Sequence, residues 1–152
     1  MSQRWATRGL WCLAVLGASL VPAYAGDSLY GKVTAVKEAT LVSLDYGSGV
    51  YDIRIVGIQA PQAGEAQAAQ KFVSDLLLGK NARMRLHHRG ANGEMVCRLF
   101  TADPIKEVGV EMLRAGLVRR QAGYDEKYGE LAAAEGQARA AKRGIWASAQ
   151  AK

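Results

Sequence analysis

The chain has 152 residues, with 20 Lys and Arg against 14 Asp and Glu, for a formal net charge of +6. That length suits one domain, which can bury roughly 65–70% of its unfolded surface and so needs no disulfide or structural metal to fold. The charge is mildly basic, which favours polyanionic ligands without proving one.

The first 25 residues do not read as part of the domain. Arg4 and Arg8 precede the apolar run Gly9–Val21, and small residues follow at Ala23 and Ala25. This is the three-part layout of a secretory signal peptide. The run is shorter than the roughly 20 residues that span a bilayer, which argues against an uncleaved anchor. Cleavage after Ala25 would leave residues 26–152 as the domain and remove two arginines, taking the charge from +6 to +4. The implied location is periplasmic or secreted, with no membrane attachment after cleavage. Cys12 would leave with the leader. Cys97, in the apolar strand pattern "EMVCRLF", then reads as a buried small hydrophobe.

Within Ser28–Ser43, strand formers broken at "KEA" predict two short strands. "DYGSG" is a turn into "YDIRIVGI", which alternates apolar Ile53 and Ile55 with polar Asp52 and Arg54. Ala66, Ala69, Val73, Leu76 and Leu77 recur at helical steps, and Gly79 marks the helix end. "NARMRLHHRG" and "GEMVCRLFT" form the next strand pair. Asp103 as cap and Pro104 as first helical residue predict a second helix over "DPIKEVGVEMLRAGL". A third, alanine-rich helix spans "YDEKYGELAAAEGQARAAKRG", stopped by Gly144, and Ile145 and Trp146 fold back on the body. Five strands with a helix after the third, then two helices, give an α+β fold: a five-stranded OB-type β-barrel with three helices.

Strict alternation along "RMRLHHRG" places Arg83, Arg85, His87 and Arg89 on one face. They form a candidate phosphate-tracking stripe, which Arg119 and Arg120 would extend; the alternative is a solvated strand face. The same alternation sends His87 and His88 to opposite faces, which argues against a metal shared between them. Tyr124, Tyr128 and Trp146 read as packing residues.

Three pieces of this text carry a resemblance: the Arg54 strand entering Gly57-Ile58-Gln59-Ala60-Pro61, the "MLRAGL" segment, and the closing Arg143-Gly144-Ile145-Trp146. Together they resemble the staphylococcal nuclease-like, or thermonuclease, family over about Tyr30 to Ala147. The resemblance implies hydrolysis of DNA or RNA phosphodiesters with Ca²⁺, held by two aspartates and a backbone carbonyl. A glutamate would assist the water, and two arginines would steady the phosphate. Calcium asks for six to eight oxygens, with carboxylates giving much of the affinity. Water needs a base, and the phosphate needs fixed positive charge.

The family's Asp-Gly-Asp-Thr motif falls here on Lys37, Glu38, Ala39 and Thr40, so one metal aspartate is an alanine. The second falls on Gln59, the glutamate on Gln62, and the second arginine on Glu94, while Arg54 is retained. These positions, Ala39, Thr40, Arg54, Gln59, Gln62 and Glu94, read as a vestigial nuclease site. The expectation is no catalytic residue set, no metal and no cofactor, in a domain that binds nucleic acid, another polyanion or an envelope protein. The alternative is an active secreted endonuclease or phosphodiesterase with a non-standard site, which alone would bring Ca²⁺ back.

Overall fold

The computed structural model describes residues 28–124 and 129–147; the leader-like segment and Tyr128 lie outside them. Five strands close into a barrel in the order β1-β2-β3-β5-β4. They are β1 (Ser28–Glu38), β2 (Leu41–Asp45), β3 (Val50–Ile55), β4 (Asn81–Arg89) and β5 (Met95–Thr101). All neighbours are antiparallel except β3 and β5, which run parallel. The β2–β3 turn is held by the Tyr46 amide donating to the Gly49 carbonyl and the Gly47 amide donating to Asp45 Oδ1.

The period-2 alternation does the folding work. Val33, Val42, Leu44, Ile53, Met84, Cys97 and Leu99 point inward and are fully buried. Burial pushes the Cys97 thiol up to about 11, as befits a small hydrophobe and not a reactive thiolate. Two register shifts in β1 bend it around the barrel.

Helix α1 (Ala63–Leu77) lays Ala69, Val73 and Leu77 on the core. The Gln70 side chain donates to the carbonyls of Val36 and Lys37, at 3.0 and 3.1 Å, and pins the helix to β1. Past its end, the Gly79 amide donates to the Val33 carbonyl.

Helix α2 (Val108–Arg114) is almost wholly core, and it starts later than Asp103 and Pro104 predict. The Thr101 amide donates to the Lys106 carbonyl, the Lys106 amide donates to the Thr101 hydroxyl, and that hydroxyl contacts the Pro104 carbonyl. Residues 102–105 are thereby closed into a loop, and Glu107 takes the cap position. Helix α3 (Glu130–Ala140) also differs from its sequence reading: Tyr124 precedes it, and it ends before Gly144. Gly144 instead opens a short 3₁₀ turn that carries Ile145 and Trp146 into a second cluster with Ala138.

That turn docks through two glycines. A Cβ on Gly116 would sit 2.2 Å from the Arg143 carbonyl oxygen, so only glycine permits the approach. The Ile145 amide donates to the Gly116 carbonyl there. Trp146 lies between the guanidinium groups of Arg119 and Arg139, 4.7 and 4.2 Å from its ring.

Candidate nucleic-acid and metal site at the barrel cleft

The end of the β3-β5-β4 sheet opens into a cleft of about 780 Å³. Register builds its floor: Arg54 of β3 lies opposite Val96 of β5, and Val96 opposite His88 of β4. One wall is the chain from Ile55 to Ala60, the other Gln121 to Tyr124. The walls are clamped together. The Gln59 amide donates to the Arg119 carbonyl at 2.8 Å, and the Gln121 amide donates to the Gly57 carbonyl at 2.9 Å. Gly57 is required at the bend, with φ +84° and space for a Cβ only 2.5 Å from Leu131.

Of the six residues at the expected nuclease positions, Thr40, Arg54, Gln59 and Glu94 line this cleft. Ala39 is buried in the β1–β2 turn beside it. Gln62 sits apart, at the cap position of α1, where its carbonyl accepts from the Glu65 and Ala66 amides.

Among the described residues, the carboxylates near Arg54 are engaged. Arg54 Nε donates to Glu94 at 3.4 Å, and its guanidinium lies 3.9 Å from Glu38. The backbone amide of Glu94, then Arg54 and the Asn92 amide, hold the Glu94 carboxyl below its ordinary range. Asp52 accepts from Lys37 at 2.7 Å and from the Ser43 hydroxyl at 2.8 Å, which lowers its pKa too. Among the described residues, no three His, Cys, Asp or Glu converge as a metal site.

The basic residues divide. Arg83 and Arg85 share the outer face of β4, opposite Phe100 and Arg98. Arg83 stacks on Phe100 at 5.0 Å. Arg89 does not continue their row. A β-bulge between Leu86 and His88 shifts the register, so Arg89 faces Met95, in line with the inward-pointing residues. Arg119 and Arg120 belong to the opposite wall: Arg119 stacks on Trp146, and the Arg120 amide donates to Glu135 at 3.0 Å. The single stripe expected from alternation is therefore three separate groups.

The bulge also corrects the reading of the two histidines. Both line the cleft, with ring centroids 5.0 Å apart and Nδ1 to Nδ1 at 2.8 Å. Two residues of the bulged strand meet one on its partner, so neighbours can share a side. The signal lay in the text: continued alternation would drive His88 into the barrel interior, an unfavourable place for an imidazole without a partner. Gln121, which the sequence reading passed over, also lines the cleft, and Tyr124, read from the sequence as a packing residue, both packs on the core and lines it.

With this barrel, its three helices and the Arg54 row in place, the class of protein is defined. The model of the staphylococcal nuclease homologue family matches residues 52–148, and the chain belongs to that family. The match holds Arg54, Gln59, Gln62 and Glu94 and begins after Ala39 and Thr40. No curated protein matches the chain.

Proposed function

We propose that this domain binds a polyanion, single-stranded nucleic acid foremost, and does not run calcium-dependent hydrolysis. The observation that supports it is the distribution of unpaired charge. The guanidinium groups of Arg83, Arg85, Arg89, Arg119 and Arg120 have no carboxylate partner among the described residues, whereas the carboxylates of Glu38, Asp52 and Glu94 are all paired. Free cationic charge is what a phosphate backbone recruits. Free acidic charge is what calcium needs, and here a buried methyl at Ala39 and an amide at Gln59 stand where it would be supplied. The leader-like first 25 residues favour an encounter in the periplasm or outside the cell.

The test is anisotropy of a labelled single-stranded DNA oligonucleotide against the full chain over a salt series. The logarithm of affinity should fall linearly with that of salt, at about 0.7 per phosphate neutralised. A flat response or no binding would remove the polyanion and leave a protein-interaction module, with an envelope protein as the kind of partner. A second reading, a phosphodiesterase with a non-standard site, is favoured by one observation: Arg54 and two imidazoles share one cleft. Cleavage of DNA or RNA that survives calcium removal would select it.

A further inference from the structure

We infer that His87 and His88 form a chelating site for a borderline divalent transition metal, copper(II) fitting best. The inference does not depend on the polyanion reading. Sequence neighbours in a regular strand cannot share a ligand, because their side chains leave opposite faces. Here the bulge between Leu86 and His88 turns both rings to the cleft, and the two Nδ1 atoms approach to 2.8 Å.

That separation is informative. Metal–imidazole bonds of about 2.0–2.1 Å meeting at a right angle put the two nitrogens about 2.8–3.0 Å apart, whereas a tetrahedral angle needs about 3.3–3.4 Å. At 2.8 Å the pair is held by a hydrogen bond, and both nitrogens lie within reach of one cation; imidazole donors of this kind suit copper(II) and nickel(II). Copper(II) heads the affinity order for such donors. Without metal, one Nδ1–H donates to the other Nδ1. On binding, that proton moves through solvent to Nε2 of the same ring, and both Nδ1 lone pairs face the cation.

The rings are also placed for it. Both are exposed, so a cation can reach them. The His87 ring packs against Tyr124 at 5.8 Å, which limits its rotation. With no third His, Cys, Asp or Glu converging among the described residues, the remaining positions fall to water or to an anionic oxygen entering the cleft. His88 shares the floor row with Arg54, so such an anion would meet both charges.

The test uses the full chain made without a polyhistidine tag, stripped with EDTA and titrated with copper(II) alone by calorimetry. Zinc(II) and calcium are run separately, and the copper complex is examined by EPR. One copper per chain is expected, with couplings from two imidazole nitrogens. His87→Ala and His88→Ala should each lower affinity by at least about tenfold, the lower end of what even an outer-shell change costs a metal site. His87→Gln and His88→Gln repeat the test should circular dichroism show an alanine variant unfolded. Absence of saturable copper binding, titrations that either histidine substitution leaves unaltered, or an EPR spectrum lacking two nitrogen donors would overturn the site.

Discussion

Strand β4 has two halves that behave differently. From Asn81 to Arg85 it alternates strictly: Ala82 and Met84 are fully buried, while Arg83 and Arg85 face out. From Leu86 to Arg89 a bulge breaks the alternation, and the outer side gains both histidines while Arg89 drops into the inward row. The first half is fixed by the core, because a one-residue slip would turn Met84 out and Arg83 in. The second half has no such penalty at the barrel's open end, so local geometry can be set by what the cleft carries.

The largest effect that follows is on stability. Met84→Ala should cost about 2–5 kcal/mol, since it leaves a cavity among fully buried neighbours. Leu86→Ala, two residues on and 44% exposed, should cost less than about 1 kcal/mol. Equal shifts in denaturant midpoint for the two would erase the distinction between the halves.

Cys97 offers a probe of the same boundary, being the inward residue paired with Leu86 at the start of the bulge. Its thiol, pushed up to about 11 by burial, should react with a thiol reagent at pH 8 at least about 100-fold more slowly in the native chain than in the denatured one. Rapid native labelling would mean that the bulge opens the barrel wall.

Outside the barrel the contrast is electrostatic. Arg85→Ala should reduce the slope of single-stranded DNA affinity against salt by about one, because its charge has no carboxylate partner among the described residues. Arg54→Ala should reduce it by less, since Glu94 and Glu38 already offset that guanidinium. The reverse ranking would locate binding in the cleft instead of on the first half of β4.

The smallest effect concerns acid. The folded-state pKa of Asp52 is depressed, first by the Lys37 hydrogen bond and then by the Ser43 hydroxyl. Its stabilisation is therefore present above the ordinary carboxylate pKa and lost as pH falls through the lower folded value. Asp52→Asn should flatten the acid limb of a stability-versus-pH curve and leave its slope near neutrality unchanged. An unaltered acid limb would show that this exposed pair contributes nothing, as many do.

The barrel, α1 and the burial of Ile145 and Trp146 were legible in the sequence because they rest on periodicities of two and about 3.6, which packing enforces. The start of α2 was not. Asp-Pro at 103–104 carries a good local helix signal, but Thr101 closing on Lys106 overrides it. Within the site, the residue types at 39, 59, 62 and 94 could be read in a line of text. The pairing of Arg54 with Glu94 could not, since 40 residues separate them and it is the parallel β3–β5 register that brings the residue before β5 to Arg54. The histidine pair was misread because alternation is the right default for a strand; the one warning of a bulge was the cost of burying His88 without a partner.

The measurement that bears most directly on the central claim is a calorimetric titration of the full chain with calcium, run alongside a cleavage assay on single-stranded DNA. With Glu38, Asp52 and Glu94 already paired, the cleft should give no saturable calcium uptake and no cleavage above buffer, at any calcium concentration. Stoichiometric uptake accompanied by strand scission would contradict it.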